Sequence, residues 1–139
     1  MVALPAEQLK ITYTFVTDHP VVGIQFGEYV ITEPVFAEQL AGARTLIFGR
    51  DIELLHRQGL GKGGDLDCVV IVDDDGYRNP LRYRDEIVRH KILDVVGDMG
   101  LLGFLQAHIF AVRSGHGLNR GLMQEMLRQS NVTIGVGNR

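Results

Sequence analysis

Apolar and polar residues alternate through Leu9-Lys10-Ile11-Thr12-Tyr13-Thr14-Phe15, the period-two pattern of a strand with one buried face. Asp18-His19-Pro20 breaks the alternation, and residues 23–31 read as a second strand, the hairpin partner of the first. Thr32-Glu33-Pro34 marks a helix start, with Thr32 as cap and a proline in the first turn. That helix is expected to run through Val35, Phe36 and Leu40 and to stop at Gly42. Residues 45–48 read as a short apolar strand, 51–58 as a short helix and 67–72 as a buried strand, so 45–72 forms a small βαβ unit with a right-handed crossover. Asp73-Asp74-Asp75-Gly76 reads as a turn, because the downstream spacing of a calcium loop is absent.

The longest periodic stretch is 86–102. Val88, Ile92, Val95, Val96 and Met99 cover one face of a helix there, while His90, Asp94 and Asp98 fall on one polar stripe flanked by Glu86 and Gly97. A strand at 108–112 and a helix at 117–129 follow, and the last ten residues, with Gly135 and Gly137, read as a loose tail. The pattern predicts a single α/β domain over 1–139, one sheet with helices packed on it.

A chain of 139 residues is one domain by size. Net charge −3 lacks the basic excess of a general nucleic-acid binder, and no run approaches the ~18 apolar residues of a membrane span. Cys68 is the single cysteine, which excludes an intrachain disulfide and suits the cytoplasm. Within Cys68-Val69-Val70-Ile71-Val72 it is expected to be a buried apolar group.

Candidate chemistry centres on the His90 stripe. A neutral imidazole and a carboxylate at i,i+4 can supply two ligands to a divalent metal, although the same spacing also serves surface hydrogen bonds. Ser114-Gly115-His116-Gly117-Leu118-Asn119, at a strand-to-helix junction, can present a histidine over a sheet end, or can serve only as a polar cap. The glycine-rich Gly59-Leu60-Gly61-Lys62-Gly63-Gly64 could cradle an oxyanion but lacks P-loop or dinucleotide spacing. His19 and His56 read as surface residues and His108 as structural, so the residues offer two metal ligands and no third.

Residues 88–98, Leu101-Leu102-Gly103 and Ser114-Gly115-His116-Gly117-Leu118-Asn119 together resemble the UDP-3-O-acyl-N-acetylglucosamine deacetylase family, zinc amidases of bacterial lipid A synthesis. Arg44-Thr45-Leu46-Ile47-Phe48-Gly49-Arg50-Asp51-Ile52-Glu53, Gly59-Leu60, Gly63-Gly64, Asp73-Asp74 and Asp85-Glu86 extend the resemblance in the same order. It covers the second, C-terminal domain of that two-domain family, and implies a two-layer α/β sandwich with the βαβ unit as an insert. Met1-Val2-Ala3-Leu4-Pro5 stands about where the interdomain connection is expected. The glutamate-histidine pair of the family's first domain, a general base and a third zinc ligand, has no counterpart here.

By resemblance, His90 and Asp94 bind Zn²⁺, His116 is the cationic general acid, Asp98 orients and charges it, and Thr45 steadies the oxyanion. Lys91 is implied to face the nucleotide phosphates, Gly63, Gly64 and Asp51 to border the sugar nucleotide, and Leu46, Ile47, Phe48 and Ile52 to shape the fatty-acyl passage. Arg113 departs from the family's usual lysine, and Leu46-Ile47 from a more aromatic, glycine-containing pair. The implied partners are the acylated sugar-nucleotide substrate and the missing N-terminal domain, in the cytoplasm, and the fragment alone is expected to be inactive. The alternative is a non-catalytic module that binds acylated sugar nucleotide or a separate N-terminal chain. An upstream glutamate-histidine pair in the same gene would separate the two.

Overall fold

The computed structural model describes residues 1–59 and 65–130. In chain order its elements are β1 (Val2–Pro5), β2 (Lys10–Val16), β3 (Ile24–Val30), α1 (Glu33–Val35), β4 (Thr45–Phe48), α2 (Ile52–Arg57), β5 (Val69–Asp73), β6 (Gly76–Tyr77), α3 (Glu86–Met99), β7 (Ala107–Val112) and α4 (His116–Ser130). They build two sheets, one in the order β1-β7-β2-β3 and a smaller one in the order β4-β5-β6.

The alternation of β2 works as its pattern demands. Ile11 and Tyr13 are buried on one face, β3 pairs antiparallel from Lys10↔Val30 to Val16↔Ile24, and β7 pairs parallel with Ile109 and Ala111 beside Ile11 and Tyr13. Onto that face α3 lays Val88, Ile92, Val95 and Met99, and Leu122, Met123 and Met126 of α4 pack against the same core. The approach of α3 to β3 is close at Gly27, where any larger residue would press on the helix side chains. A Cβ on Gly27 would stand 3.0 Å from Ile92 Cδ1 and 3.3 Å from Val88 Cγ1.

The βαβ unit at 45–72 is present, with β4 and β5 parallel. Its core joins Val70 and Val72 to Val22 and Ile87, with Leu46 and Phe48 packed against them. Asp74-Asp75 turns the chain into β6, a two-residue strand too short for any periodicity to announce.

Several expectations are corrected. Residues 2–5 are not merely a connection; β1 pairs antiparallel with β7 from Val2↔Phe110 to Pro5↔Ala107. Thr32 caps its helix as expected, accepting from Val35 N–H at 3.4 Å, but α1 lasts three residues before a π-helical turn at Phe36–Leu40, closed by Ala41 N–H on Phe36 O. Gly42 ends that segment where a Cβ would meet Tyr83 Oη at 2.7 Å. Cys68 is exposed, because β5 begins only at Val69 and Cys68 sits in the preceding turn. His19 is buried, with its ring 5.2 Å from that of Phe48 and Nδ1 accepting from Val21 N–H, so the β2–β3 turn folds against the insert.

One buried ion pair ties these parts together. Glu86, in the first turn of α3, is 0% exposed. Its carboxylate accepts from Arg44 N–H (3.0 Å), Arg44 Nε (2.8 Å), Arg44 Nη2 (3.1 Å) and Arg82 N–H (2.6 Å). The guanidinium also donates to Leu66 O and Pro80 O. Burial opposes the charge of Glu86, yet the hydrogen bonds from Arg44 and Arg82 hold its carboxyl below the usual range.

Glu86→Ala leaves the Arg44 charge buried and uncompensated, and is expected to lower unfolding free energy by about 3–5 kcal/mol in urea titrations. A carboxyl depressed by folding contributes stability that is complete above its unfolded value of ~4.3 and is lost as pH falls through the lower folded value. Glu86→Gln should therefore flatten the acid limb of stability against pH.

Candidate functional site

Residues His90, Asp94 and Asp98 occupy successive turns of α3, so the four-residue spacing puts all three on one side of the helix. A backbone carbonyl can only accept, so the 3.0 Å contact with Ala43 O means that His90 donates from Nδ1–H. In the neutral ring this leaves the Nε2 lone pair open, 3.4 Å from Asp94 Oδ1. The second oxygen of Asp94 accepts from Lys91 Nζ at 2.9 Å.

His116 is the first residue of α4 and reaches back to the same stripe. Its Nδ1 lies 2.8 Å from Asp98 Oδ2 and its Nε2 4.0 Å from Asp94 Oδ1. Asp98 Oδ2 also accepts from Asn119 Nδ2 at 2.7 Å. Partial burial opposes the Asp98 charge, but the bonds from Asn119 and His116, with the positive field of His116 and Arg120, hold its carboxyl below the usual carboxylate range. Asp98 is thus an ionised acceptor, and the His116 Nδ1–H is the donor. Asn119 is 1% exposed, and its Oδ1 makes no hydrogen bond among the described residues. A flipped amide would set that oxygen against a carboxylate, so Asp98 alone fixes its orientation.

The junction before His116 is tightly held. Arg113 adopts φ +48°, in the left-handed region that non-glycine residues rarely enter. Its N–H donates to Thr14 O, and Tyr13 Oη donates to Ser114 O at 2.5 Å. The sheet thereby sets where α4 begins.

The remaining expected residues divide. Thr45 and Ile47 share one face of β4, whereas Leu46 and Phe48 pack into the insert core, so the apolar run does not act as one lining. Asp51 and Ile52 are half-buried where a 3₁₀ turn enters α2, and Asp51 makes no side-chain cap there. Lys91 is half-buried with its ammonium on Asp94. Gly63 and Gly64 lie outside the described residues. Sequence reasoning gave Asn119 only a capping role and Glu86 only a flanking one; the i,i+4 continuation of the stripe to Glu86 was the available signal.

A metal fits this donor set in part. Two ligands about 2.1 Å from a tetrahedral ion stand about 3.4 Å apart, which is the His90 Nε2–Asp94 Oδ1 separation of 3.4 Å. Among the described residues no group of three His, Cys, Asp or Glu side chains is placed to hold an ion. Nor is any described helix long and apolar enough to cross a membrane.

Comparison with known proteins gives a consistent result. The LpxC family, described as UDP-3-O-acyl N-acetylglycosamine deacetylase, matches residues 1–128. The UDP-3-O-acyl-N-acetylglucosamine deacetylase of Oleidesulfovibrio alaskensis is 46% identical over 125 residues, which cover 88% of this chain and 41% of that protein. Its namesake in Nitratidesulfovibrio vulgaris is 44% identical over 135 residues, covering 95% and 44%. That of Leptospira biflexa is 40% identical over 131 residues, covering 93% and 43%. The chain thus spans 41–44% of the length of these relatives.

Asn119→Ala removes one of the two donors on Asp98 Oδ2 and is expected to move the Asp98 carboxyl upward toward its ordinary range. Carbon-detected NMR titration of the aspartate carboxyls would read the change. An unmoved Asp98 would mean that the Asn119 bond does not hold its charge.

Proposed function

This chain belongs to the UDP-3-O-acyl-N-acetylglucosamine deacetylase family, and we propose that it is the C-terminal half of such an enzyme, carrying part of a zinc site. The observation that supports this most directly is the convergence of His90 Nε2 and His116 Nε2 on one oxygen of Asp94, at 3.4 and 4.0 Å. The reaction is hydrolysis of the N-acetyl group of a UDP-3-O-acylated glucosamine, a step of lipid A synthesis in the bacterial cytoplasm. A bond forms between water oxygen and the acetyl carbon, the C–N bond breaks, and the nitrogen leaves as a free amine after taking up a proton.

Zinc, when bound, supplies Lewis-acid polarisation of the acyl carbonyl and makes water more acidic. His90 and Asp94 would hold it. His116 supplies the proton to the departing amine from Nε2, because its Nδ1–H is committed to Asp98. Asp98 holds the ring in place and offsets its positive charge. Thr45, at the start of β4, offers a hydroxyl to the developing oxyanion. Lys91 turns from Asp94 to the nucleotide phosphates, and Ile47, on the face of β4 that Thr45 shares, borders the acyl chain. Asp51 borders the sugar nucleotide, while Ile52, beside it at the start of α2, shapes the acyl passage from the insert side. The third ligand and the general base come from an N-terminal domain.

Two measurements test this reading. The 139-residue chain supplied with zinc and acylated UDP-sugar is expected to turn over far more slowly than a two-domain relative, since a general base alone contributes roughly 10²–10⁴-fold. In calorimetry the chain should bind Zn²⁺ through His90 and Asp94, with affinity below that of a three-ligand site. If His90→Ala binds zinc as well as the unaltered chain does, the metal assignment on α3 is wrong.

A further inference from the structure

One peptide group is held from both sides by consecutive turns of α3. Arg44 N–H donates to Glu86 Oε1 at 3.0 Å, and the carbonyl of the same peptide, Ala43 O, accepts from His90 Nδ1–H at 3.0 Å. The chain has no cis peptide bond among its described residues, so this N–H and C=O point in opposite directions. Orienting the N–H therefore orients the carbonyl. The orientation is fixed far more firmly at the Arg44 end, where the backbone N–H and the guanidinium of one residue grip the same carboxylate.

A neutral imidazole has one N–H, and two acceptors compete for it here. Ala43 O faces Nδ1, while Asp94 Oδ1 lies 3.4 Å from Nε2. If the proton sat on Nε2, His90 would donate to Asp94 and have no lone pair to offer there. Free histidine in water favours that Nε2–H form, so the Nδ1–H form that the contact with Ala43 O requires must be imposed by its surroundings.

We propose that Arg44 and Glu86 are positioning residues, which fix the Ala43–Arg44 peptide so that its carbonyl keeps the His90 proton on Nδ1 and leaves Nε2 open beside Asp94. The tautomer statement stands on the hydrogen bonds alone; its consequence for metal binding rests on the reading under Proposed function. Neither residue is among the proposed metal ligands or substrate contacts. Their effect passes through one peptide plane to a ligand, and the same peptide leads directly into Thr45.

The test reads the ring nitrogens of the metal-free 139-residue chain by ¹⁵N NMR, at a pH where the histidines are neutral, with His90→Gln to assign the signals. Because Glu86→Ala leaves the Arg44 charge buried and unpaired, the informative variant is the double substitution Arg44→Met and Glu86→Met, which replaces the pair with apolar groups, a change buried ion pairs often tolerate. The unaltered chain should show His90 as the Nδ1–H form. The double variant, shown to be folded by circular dichroism, should shift toward the Nε2–H form and bind Zn²⁺ alone about tenfold more weakly. Should it not fold, Glu86→Gln, which keeps the side-chain shape and one acceptor, should shift the tautomer the same way by less. A folded variant that keeps the Nδ1–H form overturns the positioning role, even if zinc binding is confirmed. A tautomer that follows the pair in a chain that binds no zinc upholds the positioning role while the metal reading falls.

Discussion

The geometry of this domain depends on the ion pair between Arg44 and Glu86. Taking a guanidinium and a carboxylate out of water costs several kcal/mol per ion, and such a pair is tolerable only when its remaining donors and acceptors are met. Here Glu86 accepts four hydrogen bonds, and Arg44 gives two further donors to Leu66 O and Pro80 O. The first turn of α3 adds the positive end of the helix dipole beneath the carboxylate. Nearby, Asn79 donates to Leu66 O and Val69 O, and Arg82 donates to Gly42 O and Asp67 O. The segments that bracket the insert thus converge on one helix start, and β4 cannot move far relative to α3.

From that fixed point a single periodicity lays out the site. Glu86, His90, Asp94 and Asp98 recur every four residues along α3, and each turn has a different partner: Arg44, the Ala43 carbonyl, Lys91 and His116. The stripe runs from a buried structural carboxylate to a carboxylate that meets a histidine whose side chain is 63% exposed. Rigidity at one end and access at the other are what a site needs if it must hold a ligand and admit a substrate.

The sequence revealed this layout unevenly. The strands at 10–16 and 24–30 and the helices after 86 and 116 were legible, because one buried face per element leaves a periodic trace. Strand β1 was not, since four residues ending in Pro5 carry too short a pattern and gain their pairing only from β7, far along the chain. The π-helical turn after α1 was missed because periodicity does not separate i→i+4 from i→i+5 bonding over one turn. His19 and Cys68 were misjudged for a related reason. Burial at a turn depends on what packs over it: Phe48 of the insert lies against His19, whereas Cys68, in the insert's own turn before β5, stays exposed. The i,i+4 pairs of the stripe could be read directly, whereas the partners that give them meaning, Arg44, Ala43 and Asn119, arrive through tertiary folding.

Placing the proposed acid at the start of α4 sets an electrostatic problem that the same stripe answers. The N-terminus of a helix disfavours a cation, by roughly 0.3–1 kcal/mol at an exposed position, and His116 is the first residue of α4. Asp98, at 2.8 Å, supplies the opposing charge, and Asn119 from the next turn of the same helix keeps that carboxylate ionised and aimed. The left-handed Arg113 and the bond from Tyr13 to Ser114 O settle where the helix starts, so the backbone that carries the ring is fixed relative to the sheet. A histidine on a free loop could carry a proton as well, but nothing would hold its Nε2 near Asp94. In the proposed acid role, the helix start that disfavours a positive ring also fixes the backbone carrying it, and Asp98 supplies the compensating charge.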